Sequence, residues 1–241
     1  MKKWIIFALT ITLAFVLAAC GGDNEEDKTA EQDEQQEEGN TEDGGEKPEP
    51  VEITDEEKVD DGETVVSVNG EEIKGDRYNP AYLQLKTMNT QFNQDVNEDQ
   101  LKKQTLDMLI NQQLINQDAA DKGIEVSKDD VQKEFDTIKK EGKDRLNTAL
   151  EQFQLNEEQF KNMLRDNLIT SQYLNAEFDI EVTDKEVEDY YKQMKEQNEE
   201  IGKLEDVKDR IKQTLKDEKT NEQLQKRVEK LKEDADVETM I

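Results

Sequence analysis

The sequence predicts a mainly α fold with a small β element (α+β), and three features carry that expectation. Residues 97–127 read as one long helix, with Asn97 as cap, Glu98 and Asp99 in the first turn, and Lys122-Gly123 at the stop. Thr64-Val65-Val66-Ser67-Val68 is a β-branched run, and Asn69-Gly70 ahead of Glu71-Glu72-Ile73 is a strong hairpin signal. Downstream of the long helix, capping residues recur ahead of one amphipathic stretch after another.

Folding is expected to begin at Glu63, where the first apolar pattern appears. Two short strands are not stable alone and need helices beneath them or a further strand beside them. The helix after the hairpin carries Tyr78, Tyr82, Leu85, Met88 and Phe92 as an apolar stripe. It starts either after Gly75 or at Asn79-Pro80, with Asn79 as cap. In the long helix, at about 100° per residue, Leu106, Leu109, Ile110, Leu114 and Ala120 fall on one side. Leu101, Met108, Ile115 and Ala119 fall nearly opposite. A helix apolar on two sides is expected to pack on two sides, which makes it the centre of the fold.

Ile124-Glu125-Val126 forms an extended link, and Ser127 caps a helix with Val131, Phe135 and Ile138 on one face, ended by Gly142. A further helix carries Leu146 and Leu150 toward Phe153. Asn156-Glu157-Glu158-Gln159 caps the next, which bears Phe160, Met163, Leu164, Leu168, Tyr173 and Leu174. Thr183-Asp184-Lys185-Glu186 is a capping box ahead of Val187, Tyr190, Tyr191 and Met194. On the last helix Leu204, Val207, Ile211 and Leu215 share one side, whereas Leu224, Val228 and Leu231 lie about half a turn round. Either that helix bends or its halves meet different partners. Residues 235–241 alternate like a strand and can pair with the edge at Val65–Val68, tying the domain's ends together.

Composition narrows the function. The chain of 241 residues has no histidine and one cysteine, so it lacks the usual neutral-pH general base, the usual zinc ligands and a Cys/His nucleophile pair. Neither catalytic residues nor a cofactor or metal site is expected. A formal charge of −29 opposes nucleic acid and anionic membrane surfaces alike.

Lys2 and Lys3 precede an apolar run from Trp4 to Val16, which fits a secretory signal. Leu17-Ala18-Ala19-Cys20 then resembles the lipobox of bacterial lipoproteins. That resemblance implies cleavage after residue 19 and a palmitate-bearing diacylglycerol on the Cys20 sulfur, anchoring the chain to the extracytoplasmic face of the cell membrane. Between residues 21 and 62 there are 19 acidic residues against Lys28, Lys47 and Lys58. Such a segment buries too little apolar surface to order itself and is expected to be a solvated tether, spanning on the order of 35–40 Å. The expected organisation is therefore a signal over 1–19, a lipidated cysteine and acidic linker over 20–62, and a helical domain over 63–241.

The order of elements also resembles a known family. Val66-Ser-Val-Asn-Gly-Glu-Glu-Ile73, Leu106-x-x-Leu-Ile-Asn-x-x-Leu-Ile115 leading to Ala119/Ala120 and Gly123-Ile124, and Val182-Thr-Asp-x-Glu-Val187 with Tyr190-Tyr191 together resemble the SurA N-terminal chaperone domain. The wider group includes the lipoprotein foldase PrsA and, more distantly, trigger factor. In PrsA-like foldases a parvulin prolyl isomerase domain follows the helix opened by Val-Thr-Asp-x-Glu. Here only a short polar loop separates that helix from Leu204, so the isomerase is expected to be absent.

The resemblance implies a non-catalytic chaperone that binds unfolded or partly folded secreted proteins. Tyr82, Met88, Phe92, Phe153, Met163 and Tyr191 are the candidates for a client surface, each weighed against a place in the core. A helical envelope-assembly or surface lipoprotein with a dedicated protein partner is the alternative. A solute-binding lipoprotein is disfavoured because repeated βα units are missing, and prolyl isomerase activity is the least expected.

Overall fold

The computed structural model describes residues 51–92, 94, 97–198 and 201–241, so the signal, Cys20 and the tether up to residue 50 lie outside the described residues. The elements run β1 (Thr64–Val68), β2 (Glu71–Lys74), α1 (Gly75–Gln91), α2 (Glu98–Asp121), α3 (Lys128–Gln152), α4 (Glu157–Glu177), α5 (Asp184–Gln197), α6 (Leu204–Asp234) and β3 (Val237–Thr239). The fold is mainly α with a small antiparallel sheet of order β2-β1-β3.

Local chemistry sets the boundaries. Asn69 and Gly70 both adopt positive φ, 53° and 83°, as a two-residue hairpin turn with the strands' own twist requires. The Asn97 side chain accepts the Gln100 N–H, Ser127 that of Asp130, Asn156 that of Gln159 and Thr183 that of Glu186. Gly123, at φ 75°, closes α2, and the Ile124 N–H reaches back to the Ala119 carbonyl at 2.8 Å. Gly142 leaves helical geometry and breaks α3 into two.

Helix α1 starts at Gly75, and Asn79 does not cap it. Asn79 is buried and pairs with the backbone of Val59, accepting its N–H at 3.0 Å and donating to its carbonyl at 2.7 Å. Pro80 stands inside the helix and supplies no N–H to the Asp76 carbonyl, which the Gln159 side chain approaches at 3.3 Å instead.

These contacts correct the expected start of the domain. Ile53 and Val59 pack on the core with the sheet, α1 and α2. Glu57 takes Lys86 at 2.7 Å and the Tyr82 hydroxyl at 2.8 Å, with its side chain only 3% exposed. An acidic composition hid a segment whose few apolar and pairing residues suffice to dock it. Gly75 reflects the same packing, since a Cβ there would stand 2.1 Å from the Asp60 carbonyl oxygen. Gly75→Ala is expected to cost about 2 kcal/mol, read as a fall in the unfolding midpoint; an unchanged midpoint would contradict this docking.

Helix α2 is central, but not by two apolar sides. Leu101, Leu106, Leu109, Ile110 and Leu114 all join one cluster with the sheet and α1, whereas Ile115 and Ala119 join a second with α4 and α6. The division runs along the helix. Ala120 is exposed. The contact toward α4 also carries polar pairs: Asp166 receives Asn116 at 2.9 Å, together with Arg77 of α1 at 2.6 Å, and Gln112 donates to Thr170 at 3.0 Å.

The halves of α6 do meet different partners. Leu231 packs on the first cluster and Val228 and Leu224 on the second, while Leu204, Val207, Ile211 and Leu215 form a third with α5. Strand β3 then pairs antiparallel with β1, Val66 opposite Thr239 and Val68 opposite Val237. The two ends of the domain are joined through that pairing.

Candidate functional site

Burial of the sequence-predicted surface residues separates them sharply. Phe92 is 69% exposed and Met88 39%. Both continue the apolar stripe of α1 beyond the part that the core covers. Tyr82 is 1% exposed, its ring against Tyr78 at 5.7 Å, so it is core and not client surface. The cause is the docked 53–61 segment, which brings Glu57 over its hydroxyl.

Phe153 is half-buried and lines a cleft of about 460 Å³ with Ile53, Pro80, Leu83 and Leu155. Met163 is half-buried on α4. Tyr191 packs in the α5–α6 cluster and donates its hydroxyl to the Gly202 carbonyl at 2.8 Å, so it braces the turn between those helices. The predicted residues thus occupy separate places: the end of α1, the cleft beside the α3–α4 turn, and the α5–α6 hairpin. A single groove does not gather them.

A second cleft, of about 650 Å³, lies where α1 ends and α2 begins. It is lined by Lys86, Asn89, Glu98, Asp99 and Leu101 among others, and is mainly polar. Val237, 36% exposed, and Met240, 53%, are the other large exposed apolar side chains among the described residues. Sequence alternation marked that segment as a strand but gave no sign that its outer side stays open.

Ionisable groups inside the domain act as ties. Burial raises the Asp118 pKa, but hydrogen bonds from Arg227 and Tyr173 lower it by more, so the carboxylate stays ionised. Tyr173 is pushed up to about 12 by burial and by Asp118. Glu57 falls to about 2, because donors on Lys86, Thr54 and Tyr82 outweigh its burial. These groups are held far from neutrality, whereas a general acid or base works best near the operating pH.

What this arrangement offers is a helical scaffold with separate apolar openings, and residues 53–174 match the SurA-like N-terminal domain family. The chain belongs to that family, whose members are of chaperone type. The match begins at the docked segment and includes α1 to α3 and most of α4. A search of curated proteins finds no match. Residues 198–203 alone connect α5 to α6, which leaves no room there for a parvulin domain.

Proposed function

We propose that this chain is a lipid-anchored, extracytoplasmic chaperone that holds unfolded secreted polypeptides without catalysing their isomerisation. The direct passage from α5 to α6 carries the non-catalytic part of this reading, within a family of chaperone type. Exposed Phe92 and Met88 give clients apolar contacts at the end of α1, and Phe153 and Met163 offer further half-open ones. Attachment runs through Cys20, and the acidic tether of 20–50 gives the domain reach above the membrane.

The purified protein lacking residues 1–19 is expected to suppress aggregation of a chemically unfolded test protein while leaving prolyl isomerisation at its uncatalysed rate. Phe92→Ser combined with Met88→Ser should weaken suppression several-fold and shift stability by no more than about 0.5 kcal/mol, as exposed positions do. Equal aggregation with and without the protein removes the chaperone reading, and isomerase activity removes its non-catalytic half. In cells, Cys20→Ser should move the protein out of the membrane fraction; continued membrane association would count against the lipid anchor.

A further inference from the structure

The outer edge of β3 combines free backbone groups, exposed apolar side chains and negative charge. Asp236 and Met240 bond inward, to β1 and the turn that follows it: the Asn69 N–H donates to the Asp236 carbonyl at 2.7 Å, and the Met240 N–H to the Val65 carbonyl at 2.9 Å. Alternation along a strand then points the N–H and C=O groups of Val237 and Thr239 outward. All three residues of β3 are exposed, so no element among the described residues covers that side.

The charge on this edge is one-sided. Ser67 lies opposite Glu72 on one neighbour and Glu238 on the other, so these three side chains share the solvent face of the sheet. Glu72 has Lys74 at 3.8 Å, whereas Glu238 has no ion-pair partner among the described residues. Asp234 and Asp236 precede it.

We propose that the β3 edge accepts, by strand addition, an extended polypeptide segment in which basic and apolar residues alternate. Backbone bonds to Val237 and Thr239 would supply affinity, a basic side chain would stand beside Glu238, and apolar side chains beside Val237 on the opposite face. Charge argues against a second copy as the occupant. Two β3 edges paired about their centres would set Glu238 opposite Glu238, between chains each carrying −29. The acidic tether is disfavoured on the same ground. The proposal gives the chaperone reading above a client chemistry and rests on it for that meaning, but the binding event can be tested alone.

The test uses the protein lacking residues 1–19 and labelled peptides of alternating valine and lysine, alternating valine and glutamate, and the lysine peptide N-methylated along one backbone edge. Only the unmethylated lysine peptide is expected to bind, weakening as salt rises. Thr239→Pro removes an outward N–H and no bond to β1, so it should keep the fold and lower affinity about tenfold or more. Equal binding of the methylated peptide, or of the glutamate peptide, overturns the proposal even if the variant fails to fold. Unchanged affinity in a folded Thr239→Pro does so too, and a dimer dissolved by that change would assign the edge to a second copy. Suppression of aggregation by a wild-type protein that binds none of the peptides defeats this proposal and leaves the chaperone reading intact. Edge-dependent peptide binding without any suppression reverses that outcome.

Discussion

Replacing Arg227 by methionine is expected to lower the stability of the domain by about 3 kcal/mol, because it strands the buried Asp118 carboxylate without its cation. Arg227 donates to Asp118 at 2.5 and 3.0 Å, and the Tyr173 hydroxyl donates to the same carboxylate. Methionine retains an apolar stem, so the change isolates the charge. The Asp118 side chain is 8% exposed and that of Arg227 27%, so water at the guanidinium moderates the loss without removing it. Three helices meet at this point, α2, α4 and α6, and no other ion pair among the described residues joins the C-terminal half of α6 to the second apolar cluster.

The pH dependence gives a second readout. Although burial raises the Asp118 pKa, the hydrogen bonds lower it further, and the folded value lies below the ordinary one. Such a group adds stability above the ordinary carboxyl range near about 3.9, and that contribution is lost as pH falls through the folded value. In Arg227→Met burial weighs against ionisation with less opposing it, so the gap between variant and wild type should be widest at neutral pH and narrow in acid. Urea unfolding across that range measures it. Equal midpoints at neutral pH would sink the prediction. Adding Asp118→Asn to Arg227→Met should recover part of the loss, since the stranded charge is gone.

Glu57→Ala is expected to cost a similar amount, about 3 kcal/mol, and to release the segment around it. The Glu57 pKa falls from 4.5 to about 2 on folding, burial opposing and the donors on Lys86, Thr54 and Tyr82 prevailing. At about 1.4 kcal/mol per unit this is a few kcal/mol of stability, complete above pH 4.5 and lost as pH falls toward about 2. Alanine also leaves the Tyr82 hydroxyl, on a residue 1% exposed, without its acceptor. Amide exchange and limited proteolysis over residues 53–61 should both accelerate in the variant. If that segment stays as protected as in the wild type, Glu57 is not what fastens it.

The helices were legible because their ends are written in short-range chemistry. Asn97, Ser127, Asn156 and Thr183 each accept the expected backbone N–H, and Gly123 takes the left-handed conformation that a helix stop favours. Gln154 does similar work at φ 50° after α3, with the Leu155 N–H returning to Leu150 at 2.8 Å, yet no residue type announces it. The docking of 53–61 is hidden in the sequence because the segment is mostly acidic, and its contacts run through two apolar side chains, Ile53 and Val59, through Glu57, and through backbone groups such as the Asp60 and Asp61 carbonyls. Of the candidate surface residues, Phe92 and Met88 are exposed, but helical spacing could not separate them from Tyr82 on the same stripe. That difference depends on where the covering segment ends.

By itself the sequence determined the fold class, the order of the elements and their caps, and the joining of the last strand to the hairpin. Those follow from local propensity and periodicity, which act over a few residues. Only the tertiary structure decided that α2 divides its contacts along its length, that α4 is held by Arg77–Asp166 and by Tyr173 on Asp118, and that the outer side of β3 stays open. Such pairings link residues as far apart as Asp118 and Arg227, and opposite charges distant in sequence carry no mark of which will meet.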